Sequence, residues 1–277
     1  MAKDPPRVSS GSNRQAPISE AFRTFIQSGW SAPEAPSSIV LPVADYAATR
    51  RQALGEHFPG TTLVIPAGSP KQRSNDTDYP YRPHSAFSYF TGWGHNTTAG
   101  SVLAGVWQED HHEWTLFARG PAPRTSDEFY ANAAIGEFWT GRRPSLEELS
   151  TRYAIATAER DSFRFPDEKS TPIAVVWEAD TALSEELQSL RGDTGPQETD
   201  DELERISSEM RLVKDDLEIS ELREAVASTH RGFNDILAAL PQAIGHERGE
   251  RVIEGAFHQR ARVEGNAVGY DSIVAAG

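Results

Sequence analysis

The sequence predicts an α/β fold with a mixed sheet, followed by a second domain that is incomplete, and three observations carry this. β-Branched runs of strand length alternate with helical patterns over about residues 17–180. A polar stretch with Gly and Pro at 189–200 then breaks the apolar pattern. Beyond it lie only two long amphipathic helices and one strand pattern, which leave their apolar faces without a partner. The chain has 277 residues, enough for one large or two ordinary domains. Its net charge of −14, without a cluster of Lys and Arg, argues against a nucleic-acid partner. With no cysteine, disulfides, thiolate metal sites and a cysteine nucleophile are excluded. Residues 1–16 carry charge but no apolar core of a signal peptide, so they read as a disordered tail. No apolar run approaches the roughly 20 residues that cross a bilayer, so a cytoplasmic protein without membrane contact is expected.

The elements follow in order. Ser19 caps a helix whose Phe22, Phe25 and Ile26 form one stripe. A second helix begins near Asp45, carries Tyr46, Leu54 and Phe58 on one side, and stops at Pro59-Gly60. Residues 61–66 (TTLVIP) are a buried strand, and 101–107 and 113–118 form a hairpin around the polar stretch 108–112. A helix over 145–153 and a strand over 173–177 complete a first domain, placed at 17–195. The second domain, 196–277, opens on an acidic segment. Residues 197–224 hold eleven Asp or Glu against four Lys or Arg, half of the net charge, and read as a solvated helical face rather than a cation trap. Asp215 and Glu218 form a capping box ahead of a helix that runs through Leu222, Val226, Phe233 and Leu240 to Pro241. Another helix over 247–263 buries Ile253 and Phe257, and 270–275 (YDSIVA) reads as a strand.

Chemistry is sparse. His111 and His112 fall in the predicted hairpin turn and read as surface residues, and His230 and His258 have no histidine partner at i±4. Phosphate-loop, dinucleotide-turn and nucleophile-elbow patterns are absent. Residues 74–93 are dense in aromatics, with Tyr79, Tyr81, Phe87, Tyr89, Phe90 and Trp93 among Asp76, Asp78 and Arg82. These rings either fill the first domain's core or line a cleft or subunit interface.

This segment resembles the Xaa-Pro aminopeptidases (aminopeptidase P) in Asp78-Tyr79-Pro80-Tyr81-Arg82 and Phe87-Ser88-Tyr89-Phe90-Thr91-Gly92. Three further stretches match in order: Trp139-Thr140-Gly141-Arg142-Arg143, then Met210-Arg211-Leu212-Val213-Lys214 with Glu218-Ile219, then Arg262-Val263-Glu264-Gly265-Asn266 through Tyr270 to Gly277. The resemblance implies a creatinase-like N-terminal domain with a mixed sheet, followed by the beginning of a pita-bread metallopeptidase domain. It implies an enzyme that removes the N-terminal residue preceding proline from peptides, using two divalent ions, Mn²⁺ or similar, and two-metal hydrolysis.

In the family the metal ligands and catalytic histidines follow the strand at which this chain ends, so no metal or catalytic residue is assigned here and no metal is expected on this chain. A proline-containing peptide substrate and a homo-oligomer are the implied partners. Trp139 is the candidate to reach a substrate cleft, with a packed core Trp as the alternative. Tyr270 is the candidate to stand beside the metals, with a core strand Tyr as the alternative. Two other functions stay open: a noncatalytic oligomerisation or binding module from a truncated gene, and a prolidase-type Xaa-Pro dipeptidase.

Overall fold

A five-stranded mixed sheet organises the first part of the computed structural model, which describes residues 19–31, 38–75, 77–94, 96–133, 135–167, 171–192 and 194–276. The chain opens with α1 (Glu20–Gln27), α2 (Val43–His57), β1 (Thr62–Pro66), the small ribbon β2 (Gln72–Ser74) and β3 (Thr77–Asp78), and α3 (Ser85–Thr91). It continues through β4 (Val102–Gln108), β5 (His111–Ala118), α4 (Glu128–Ala131), α5 (Glu137–Thr140), α6 (Leu146–Tyr153), β6 (Ala156–Glu159) and β7 (Ile173–Val175). Four helices follow: α7 (Thr181–Leu190), α8 (Glu198–Met210), α9 (Asp216–Ile244) and α10 (Gly249–Glu264). The sheet order is β6-β5-β4-β1-β7, with the central pairs antiparallel and both outer pairs parallel, so the mixed sheet expected from the sequence is present.

β1 is buried along its whole length because its two faces serve two cores. Leu63 and Ile65 pack with Leu54, Phe87, Phe90, Trp93, Leu103 and Leu116 on one face. Val64 packs with Val102, Phe163, Val175, Leu183 and Leu187 on the other. A strand covered on both sides reads as a continuous apolar run, which is how residues 61–66 look in the sequence.

Several expectations are corrected. The hairpin turn is only Glu109-Asp110, so His111 and His112 lie on β5 and point to opposite faces. His112 is half-buried rather than a surface-turn residue, and its Nε2 lies 2.8 Å from the Thr61 carbonyl. α9 passes through Pro241 to Ile244, since a proline in the last turn forfeits little more than its own N–H bond. Residues 271–276 form no strand, and no described strand of the second unit is there to pair with them. α7, not expected from the sequence, is capped by Asp180, whose side chain accepts from the Ala182 and Leu183 N–H groups. The tail at 1–16 lies outside the described residues.

The chain divides into two compact units between Leu212 and Val213. The reason is α8. Leu203 and Ile206 sit in the first unit's core, and Asp200, counted above in a solvated acidic face, is buried. Its carboxylate meets Arg191 at 2.5 Å, and both side chains are 1% exposed. Asp200 also accepts from the N–H groups of Val175 and Gln197, while Arg191 donates to the Ile173 carbonyl. In the second unit α9 and α10 pack antiparallel. Gly232 lets them close, because a Cβ there would stand 2.8 Å from the Phe257 ring. Arg231 and Arg260 grip Glu264, and Arg260 also grips Asp235.

Two predictions follow from these ion pairs. Replacing Arg191 by Met strands a buried carboxylate, so Arg191→Met should cost about 3–5 kcal/mol in urea unfolding, whereas removal of the exposed Arg205–Glu202 pair should leave the urea midpoint nearly unchanged. Hydrogen bonds from Arg231, Ser228 and Arg260 hold the Glu264 carboxyl down at about 2. A depressed carboxyl contributes stability that is present above its unfolded value and lost as pH falls toward 2. A carboxyl NMR titration should therefore place Glu264 near 2, and Arg231→Ala should return it toward the ordinary value of roughly 4.

Candidate functional site

The family-like motifs of the first unit are mostly framework. In Asp78-Tyr79-Pro80-Tyr81-Arg82, the Tyr81 hydroxyl lies 3.0 and 2.9 Å from the Ala67 and Gly68 carbonyls, so it ties the loop after β1 to the segment entering α3. Burial, with Asp180 nearby, pushes the Tyr81 phenol well above its usual range, which keeps it a neutral donor. Phe87, Phe90 and Trp93 are buried core residues. Tyr89 is half-buried, donates to the Met210 carbonyl at 3.0 Å, and lies beneath the Arg50 guanidinium at 4.2 Å. Of the two readings of this aromatic segment, the core one holds for these three rings, while Tyr79 is exposed. Asp76 lies outside the described residues.

The second motif is different. α4 and α5 meet at Gly136, where a Cβ would stand 2.4 Å from the Phe129 carbonyl oxygen. That turn lifts Trp139 to the surface. Its indole is 61% exposed, its Nε1 donates to the Tyr130 carbonyl at 2.8 Å, and the Phe138 ring meets it edge-on at 5.3 Å. The packed-core alternative for Trp139 is thereby removed. Trp30, Phe22 and Phe138 are also exposed nearby, with Trp30 edge-on to Phe129 and Phe138. The following arginines are anchors. Arg142 donates to Glu148 at 2.8 Å, and Glu148 is the buried partner of Ser145 in the capping box that starts α6. Arg143 donates to the Thr98 hydroxyl at 3.2 Å. The Ser-x-x-Glu pattern at 145–148 was the sequence signal for this arrangement.

Tyr270, in the second unit, is 87% exposed and follows α10 in a bend. Among the described residues no group of three or more His, Asp or Glu could hold a metal ion. The two divalent ions implied by the resemblance therefore do not fit the residues described. No helix among the described residues is long and apolar enough to cross a membrane.

Residues 47–164 match the family described as aminopeptidase P, N-terminal domain. Over most of its length the chain is similar to curated proteins named Xaa-Pro aminopeptidase. It is 41% identical over 261 residues to Xaa-Pro aminopeptidase 1 of Streptomyces coelicolor, covering 94% of this chain and 51% of that protein. It is 37% identical over 265 residues to Xaa-Pro aminopeptidase 2 of the same organism, covering 94% and 53%. The chain thus spans about half the length of the curated relatives it matches. Its fold is also that of aminopeptidase P from Escherichia coli solved with the inhibitor Pro-Leu, with a TM-score of 0.60 at 23% identity over 80% of this chain and 50% of that one.

The exposure of Trp139 makes a stability prediction. Trp139→Ala removes one hydrogen bond and one edge contact and should cost about 1 kcal/mol, whereas Trp93→Ala empties a fully buried site and should cost about 3–5 kcal/mol. Urea unfolding of the two variants side by side checks this.

Proposed function

We infer that this chain is the N-terminal part of a metal-dependent Xaa-Pro aminopeptidase, which removes the N-terminal residue preceding proline from peptides. The 41% identity over 261 residues to a protein of that name carries the reading. The part spanned here is a scaffold. Its second unit exposes Leu222, Val226, Phe233 and Leu237 along α9, a stripe suited to packing against further chain of the same protein. Residues 17–195 are read as the aminopeptidase P N-terminal domain and 196–277 as the start of the pita-bread catalytic domain. The divalent ions and their ligands belong to the half of the relatives that this chain does not span.

Within this reading Trp139 has a substrate-facing role. Its indole N–H is already held by the Tyr130 carbonyl, so the exposed ring is fixed in orientation and can offer a flat apolar wall to a proline ring. Tyr270 would place a phenol beside the metal ligands and orient one of them by a hydrogen bond. A homo-oligomer, in which Trp139 reaches a neighbouring subunit's cleft, is the matching assembly.

The test uses the complete reading frame that contains this chain. It should release Xaa from an Xaa-Pro-containing peptide, and chelation of divalent metal should abolish release. Trp139→Ala should raise KM more than it lowers kcat. The 277-residue chain alone should neither bind Mn²⁺ stoichiometrically in calorimetry nor cleave the peptide. Cleavage of proline-free peptides at an equal rate by the complete protein would sink the assignment.

A further inference from the structure

We propose that the groove between α2 and the β4–β5 hairpin binds proline-rich peptide segments in the extended polyproline II conformation. The groove encloses about 620 Å³. Ala48 and Gln52 of α2 line one side and Trp107 and Trp114 of the hairpin the other, while His112 packs directly against Gly55. Trp107 and His112 are direct cross-strand partners, and Trp114 lies two residues further along β5 on the same face. The ring centroids are 5.0 Å apart for Trp107 and His112 and 5.6 Å apart for His112 and Trp114, so the imidazole sits between two indoles. Two glycines make room for these rings. A Cβ on Gly55 would stand 2.7 Å from His112 Nδ1, and one on Gly105 would stand 2.7 Å from the Trp114 ring. Glycine inside a helix or strand costs up to about 1 kcal/mol relative to alanine.

The unused donors single out the ligand. Trp30 and Trp139 both donate their indole N–H to a backbone carbonyl, at 2.6 and 2.8 Å. Among the described residues no acceptor meets the indole N–H of Trp107 or Trp114, and both side chains are half-exposed. A polyproline II segment supplies what these groups lack. Its backbone carbonyls make no internal hydrogen bonds, so they are free to accept from indole N–H groups. Its rings pack on aromatic faces at little entropic cost. The rim sets the charge. Glu56 is exposed there, Asp110 is exposed with the His111 ring at 2.9 Å, and the Arg51 guanidinium turns inward and donates to the Phe90 carbonyl at 2.7 Å. A segment with a flanking basic residue is therefore preferred.

The probe is fluorescein-labelled acetyl-Arg followed by nine prolines, titrated with the whole chain and followed by anisotropy. Its blocked N-terminus prevents aminopeptidase cleavage, so the result does not depend on the activity inferred above. Saturable binding is expected. Trp107→Phe, which keeps a ring and removes the donor, should weaken it about fivefold, and Trp114→Ala should weaken it about tenfold or more. Circular dichroism and melting of both variants establish that they fold, and the conservative Phe variant carries the test if the Ala variant does not. Equal affinity for a Gly-Ser peptide of the same length and charge overturns the proposal, as does absence of binding at about 1 mM. Concentration-dependent self-association that Trp107→Phe abolishes, without peptide binding, would assign the groove to a second copy of the chain and overturn it too.

Discussion

The Arg191–Asp200 pair is the constraint on which the closed edge of the first unit depends. β7 is the last strand of the sheet, and an outer strand presents backbone groups that need partners. Asp200 takes the Val175 N–H and Arg191 takes the Ile173 carbonyl, so both ends of β7 are satisfied by side chains held in one ion pair. Since both partners are removed from water, the pair is costly to bury and far costlier to break. Its effect is positional: it joins the end of α7 to the start of α8 and so brings Leu203 and Ile206 onto the core.

With that edge closed, the aromatic segment before β4 can be buried and the polar groups of the family motifs can serve the backbone. Tyr81, Tyr89, Arg142 and Arg143 each spend a hydrogen bond on a carbonyl, a carboxylate or a hydroxyl within the unit. A motif that distinguishes a peptidase family is, at most of its positions, a device for holding loops in place. Trp139 is the exception because Gly136 permits a turn too tight for any side chain, and the indole has no core to enter.

The second unit follows a simpler physics. Two long helices pack along one line, drawn together at Gly232 and fastened by Arg231, Asp235, Arg260 and Glu264 at the surface. A two-helix layer covers only one face of each helix, so Leu222, Val226 and Leu237 stay exposed.

The sequence by itself determined the periodic and the local. The interleaved strands and helices, the caps at Ser19 and Asp215, and the family motifs were legible because a cap or an apolar stripe needs only residues three or four apart. Burial that depends on distant partners was decided only by the tertiary structure. Asp200 is one acid among eleven in a charged run until Arg191 and the backbone of β7 surround it. His112 is one of two adjacent histidines until the strand lengthens past the polar stretch and turns it onto Thr61. Trp139 stands beside another aromatic either way, and only the turn at Gly136, set by contacts between α4 and α5, sends its ring to solvent rather than to the core.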